Sequence, residues 1–186
     1  MKRQILLLSV ALAFAALFAG CGNKGEEHIE AETEGIYLVA GGLTYQVQMS
    51  RFLTPGSVDD EEYLRGLPEG VPLQLPGDEI WFGVWMRVKN YSDETLTPTT
   101  NFTILDTEEN EYRPVPLDDR NPFKYVPIGL RHAELIPVPN SANQSGPIQG
   151  SLILFRLKTD SLQNRPLKLI IDAGGGEEPR IVDLDL

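Results

Sequence analysis

The chain has 186 residues, with 27 Asp and Glu against 16 Lys and Arg, for a formal net charge of −11. That balance argues against nucleic acid as a partner, since neutralising phosphates takes clustered Lys and Arg, and against adsorption on anionic lipid through charge. One cysteine excludes an internal disulfide framework, and the length suffices for a domain held by its own core.

In chain order, the first segment has the three parts of an export signal. Met1, Lys2 and Arg3 are a positive start, Ile5 to Phe18 is apolar apart from Ser9, and Ala19 and Gly20 put small residues before Cys21. The apolar run from Ile5 to Gly20 is sixteen residues, short of the roughly twenty that a spanning helix needs. Phe18-Ala19-Gly20-Cys21 resembles the bacterial lipobox of Leu, a small residue, Gly or Ala, then Cys, with Phe18 standing where Leu is usual. The resemblance implies a lipoprotein signal peptide over 1–20, cleavage before Cys21, and lipid on its thiol. A simple signal peptide with a leftover thiol is the alternative. Loss of Lys2 and Arg3 takes the mature side-chain charge to −13. One acyl chain holds a protein only marginally, at about 0.8 kcal/mol per buried methylene, so stable anchoring takes two or three. The expected location is the cell membrane, lipid-anchored on the extracytoplasmic side.

Residues 21–34 read as the lipidated cysteine and an acidic tether. Glu26, Glu27, Glu30, Glu32 and Glu34 face one Lys24 there, a composition that stays extended. His28 lies within it. The folded domain is expected over 35–186.

From Gly35 the period is two. Leu43, Tyr45, Val47 and Met49 fall on one face of a strand, with Thr44, Gln46 and Gln48 on the other. Ile80 to Val88 repeats the pattern, with Ile80, Phe82, Val84, Met86 and Val88 inward, and Asn90 to Asp93 reads as a turn. Phe102 to Asp106 is a short strand and Thr107 to Asn110 a hairpin turn, after which Glu111 to Val115 returns. Ser151 to Thr159 is apolar on both faces, as a central strand is. Leu167 to Asp172 and Arg180 to Leu186 follow, separated by Gly174, Gly175 and Gly176. Residues 66–77 and 114–150 hold most of the fourteen prolines, so neither forms a long helix; Asp59 to Leu64 can make one turn. The fold class is all-β: an antiparallel β-sandwich of about seven to nine strands with long Pro-rich loops and little helix.

Trp81 to Glu94 carries an apolar strand and then Val88-Lys89-Asn90-Tyr91-Ser92-Asp93, which resembles the motif Val-x-Asn-x-Ser/Thr-Asp. Phe102 to Asp106, Tyr112 to Pro114, Gly150 to Leu157 and Pro166 to Ile171 follow in the matching order. Together they are similar to the secreted immunoglobulin-like domains of unknown function on bacterial lipoproteins, the fold group of the mycobacterial immunoprotective secreted antigen. Asn121 to Tyr125 and Ile181 to Leu186 look like an actinobacterial branch. The resemblance covers roughly Gly35 to Leu186 and implies an immunoglobulin-like sandwich, with no catalytic residues to carry over. The same residues have a physical reading. The Asn90 side chain can bond its own turn, and Gly150 opens a strand where a side chain would crowd a crossing chain.

His132 is the one candidate general base in the domain, and no Gly-x-Ser-x-Gly elbow accompanies it. Met49 and Met86 read as core rather than as soft metal ligands. Asp59 to Glu62 and Asp106 to Glu111 concentrate oxygen ligands without EF-hand spacing, and carboxylate runs are usually solvated. Neither cofactor nor metal is expected. Trp81, Trp85 and Arg87 share one strand face and are the candidate binding residues, as an aromatic platform for a sugar ring or apolar partner. The competing reading has Gly56–Gly77 or a neighbouring strand folded over the indoles. It is preferred, since burying each Trp contributes about 2–3 kcal/mol. The expected role is a non-enzymatic domain that binds a protein or cell-envelope component, with a carbohydrate- or cell-wall-binding module as the alternative.

Overall fold

A computed structural model describes residues 29–184; Cys21, His28, the signal-like segment and most of the acidic stretch lie outside them. The strands are β1 (Glu30–Ala31), β2 (Tyr37–Ala40), β3 (Leu43–Leu53), β4 (Glu79–Asn90), β5 (Phe102–Leu105), β6 (Glu111–Tyr112), β7 (Pro114–Val115), β8 (Leu135–Ile136), β9 (Ser151–Lys158), β10 (Leu167–Ile171) and β11 (Arg180–Leu184). One α-helical turn, α1 (Ala142–Ser145), and a 3₁₀ turn at Thr159–Leu162 complete them.

Two sheets form a β-sandwich. The first runs β1-β11-β10-β5-β6, and the second runs β2-β3-β4-β9-β7 with β8 also on β4. Named strands pair antiparallel except β1 with β11. Eleven strands rather than seven to nine arise because four are only two residues long. The expected return strand Glu111–Val115 is two of these. β6 pairs β5 in the first sheet, while β7 pairs β9 in the second, so the chain changes sheets at Arg113.

The main core lies between the sheets, where Tyr45, Val47, Phe82, Val84, Met86 and Val88 of the second meet Phe102, Ile104, Leu169 and Val182 of the first. β9 sits between β4 and β7 and is buried on both faces, as its continuous apolar sequence requires. Ile153, Phe155 and Leu157 face the main core, and Leu152 and Leu154 face a second one.

Two expectations are corrected. The domain begins before Gly35: Glu30 and Ala31 pair with Ile181 and Val182, Ala31 is buried, and the Glu34 carboxylate accepts from the Ser50 amide at 3.1 Å and from its hydroxyl. Met49 faces outward, 39% exposed. The β3–β4 register shifts between Val47 and Met49, and an extra bulge residue turns every later side chain to the opposite face. Ser50 takes the inward position opposite Val84, and Met49 faces out opposite Trp85.

Candidate functional site

Trp81 and Trp85 are 1% and 0% exposed, so they are not a surface platform. Residues 54–78, between β3 and β4, lie as a strap over the outer face of the second sheet. The strap brings Tyr63 and Leu64 onto Trp81, Trp85, Leu152 and Leu154, with Phe123 joining from the Pro-rich loop. The Tyr63 ring meets Trp85 edge-on at 5.0 Å and Phe123 at 4.8 Å. Trp81 Nε1 donates to the Leu73 carbonyl at 2.8 Å, whereas the buried Trp85 Nε1 meets no acceptor among the described residues. The alternative weighed against the platform, a fold-over by the Gly56–Gly77 segment, is the observed arrangement.

One ion pair fastens the strap. Arg51 Nη2 donates to Asp60 Oδ1 at 2.5 Å, the Thr54 amide donates to Asp60 Oδ2 at 2.8 Å, and the Arg51 guanidinium lies over the rings of Trp85 and Tyr63. Burial of Asp60 acts to raise its pKa. The Arg51 hydrogen bond, the Thr54 amide and the Arg51 charge outweigh it and hold the carboxyl below its ordinary range.

The other acidic run is also occupied by structure. Asp106 accepts from the amides of Glu108 and Asn110, the Asn110 side chain and the Tyr112 hydroxyl, closing the β5–β6 turn. Desolvation works against this carboxylate, but those donors together keep its pKa low. Burial, with the nearby Asp106 charge and hydrogen bond, pushes the Tyr112 phenol up to about 12. Among the described residues no group of three or more His, Cys, Asp or Glu is clustered for a metal ion.

His132 is exposed, its Nδ1 3.0 Å from the Ser92 carbonyl and 3.7 Å from Asp93. The ring braces the turn after β4. That turn is built around buried Asn90, which accepts from the Ser92 amide and hydroxyl and donates to the carbonyls of Glu94 and Leu130. This is the turn-bonding role expected of the asparagine.

Of the three candidate residues, Arg87 alone is not covered. It lines a depression of about 40 Å³ with Tyr37, Thr44, Gln46, Lys89 and Tyr91, companions that sequence spacing did not identify. Larger clefts open elsewhere, two of which differ sharply in character. An apolar one of about 300 Å³ lies between Phe102, Val115, Tyr125 and Leu154. A polar one of about 660 Å³ contains Asp78, Glu79, Arg156 and Lys158, whose charges pair with one another.

No protein-family model matches the chain, and no curated protein matches it. Among solved structures, it is similar to the yjhA protein from Bacillus subtilis, at 12% identity and a TM-score of 0.54 over 83% of this chain and 99% of that one. At that identity the likeness shows the fold alone.

Proposed function

We propose that the chain is a lipid-anchored extracytoplasmic protein whose immunoglobulin-like sandwich is a non-catalytic binding domain for a protein or cell-envelope component. The observation carrying this reading is the succession of an apolar signal-like run, small residues, and the chain's only cysteine at position 21. The sandwich supports it by needing no thiol, since its two apolar cores contain no cysteine among the described residues.

The non-catalytic part of the reading is supported by the roles of the polar groups. Asp60 fastens the strap, Asp106 closes a turn, and His132 braces a loop, so none is aimed with a nucleophile into a common cleft. With both indoles under the strap, the sugar platform of Trp81 and Trp85 is abandoned.

Replacing Cys21→Ser tests the anchor. The expected result is loss of the protein from the membrane fraction, or an uncleaved precursor, while the wild type sediments with membranes. Wild-type protein recovered wholly in the soluble fraction would refute the anchor. The binding role is tested by mild solubilisation and co-purification, where a partner recovered at constant stoichiometry is expected and a lone monomer each time counts against it.

A further inference from the structure

The outer face of the second sheet divides at Arg87. On one side the strap covers it; on the other it is open. Strand register builds the open part in rows, Tyr37 beside Gln46 beside Arg87, then Val39 beside Thr44 beside Lys89. Arg87 and Lys89 are two residues apart on one strand face, so their Cα atoms are about 7 Å apart. Neither makes an ion pair among the described residues. Arg51, Arg113, Arg120, Arg131, Arg156, Lys158 and Lys168 all lie against carboxylates. Two unneutralised cations side by side stand out in a chain with 27 acidic residues. Lys89 Nζ lies 4.3 Å from the Tyr91 ring centroid, which positions the ammonium without cancelling its charge. Tyr37 and Tyr91 are 58% and 59% exposed. Asp93, the near carboxylate in sequence, lies 3.7 Å from His132.

The position of this patch relative to the chain's entry is the second observation. The Ile29 carbonyl accepts from the Ile181 amide at 2.9 Å, and the neighbouring Arg180 donates from Nε to the Val39 carbonyl at 2.6 Å. Val39 is therefore beside the point where the chain enters. It shares a row with Lys89, two strand spacings or about 10 Å away. Eight residues, Gly22 to Ile29, separate Cys21 from β1. Their full extension is at most about 29 Å. An anchor at Cys21 holds the patch within reach of lipid headgroups.

We propose that Arg87 and Lys89, flanked by Tyr37 and Tyr91, form an anion site for a phosphate-bearing group, supplied by headgroups of the membrane to which the chain is anchored. The source rests on the lipid-anchor reading; the anion chemistry does not. Phosphate oxygens accept from a guanidinium fork and an ammonium together, and exposed tyrosines suit the membrane interface. The acidity of the whole chain does not forbid this, because exposed charges beyond about 8 Å are screened at physiological salt. The site orients a domain that lipid already holds.

The test uses the chain from Cys21 onward, which contains both sheets and both cores. It is titrated with inorganic phosphate, and separately coupled through Cys21 to maleimide lipid in nanodiscs of phosphatidylglycerol or phosphatidylcholine. Side-chain NMR signals of Tyr37, Arg87, Lys89 and Tyr91 should shift with phosphate. A paramagnetic headgroup label should attenuate them more in phosphatidylglycerol. Arg87→Gln with Lys89→Gln, checked for native Trp fluorescence, should weaken phosphate binding by about tenfold or more and erase the difference between nanodiscs. Phosphate shifts with identical attenuation in both nanodiscs would overturn the membrane source. Silence in both arms, or effects that survive the double variant, would overturn the site. Because the coupling is chemical, failure here leaves the anchor to be judged by the Cys21→Ser fractionation.

Discussion

Asp60 is an acid kept ionised in a buried place, 4% exposed, by one guanidinium and one amide. Its folded pKa lies below its unfolded value. Its contribution to stability is therefore fully present above the unfolded Asp value of about 3.9 and is lost as pH falls through the folded value. Asp60→Asn should cost about 1–3 kcal/mol at neutral pH and flatten the acid limb of the stability profile, as urea denaturation at several pH values would show. Of the two glycines beside Trp85, Gly150 was legible in the sequence because it opens an apolar strand. A Cβ there would meet Trp85 Cβ at 2.9 Å, and one at Gly83 would meet the indole ring at 2.8 Å. Gly83 gave no such signal, since the crowding comes from the ring of a residue on its own strand, folded back over the gap. Asp60 was not legible as a fastener either, because a run of acids carries no mark of which one turns inward.

For the elements, alternation located the long strands well and the short ones poorly. β9 and the stretch of β4 from Trp81 to Met86 follow their apolar residues because both faces are covered there. The bulge was invisible: Leu43, Tyr45, Val47 and Met49 alternate without a gap, and an unpaired Gln48 changes the face without changing the pattern. β6 and β7 read as one strand because nothing in Glu111 to Val115 marks the change of sheet at Arg113. The strap has little regular structure, and side chains fix it. Tyr63→Ala would remove the ring packed on Trp85 and Phe123. The expected loss is about 3–5 kcal/mol, by analogy with other buried aromatics, with greater acrylamide quenching of Trp emission.

At the scale of the molecule, the sandwich is a closed apolar unit that recruits a few residues of the acidic stretch. The predicted boundary at Gly35 came from composition, since Glu30 to Glu34 looks solvated. Two ladder pairs, buried Ala31 and the Glu34–Ser50 contact override that composition. A chain starting at Gly35 should be less stable than one starting at Gly22 by about 2 kcal/mol or more, measured by thermal and urea unfolding of the two.

The strap makes no ladder with either sheet; its backbone-to-backbone bonds are internal or reach the Pro-rich loop, as from the Asp118 amide to the Gly66 carbonyl at 2.9 Å. The exception is its end, where the Pro76 and Asp78 carbonyls accept from the Glu79 and Thr159 amides at 3.0 Å each. No ladder pair of either sheet includes a strap residue. Opening of the strap alone is therefore expected to turn an aromatic surface to solvent at a lower free energy than unfolding of the sandwich, which faster amide exchange in residues 54–78 than in β4 and β9 would check.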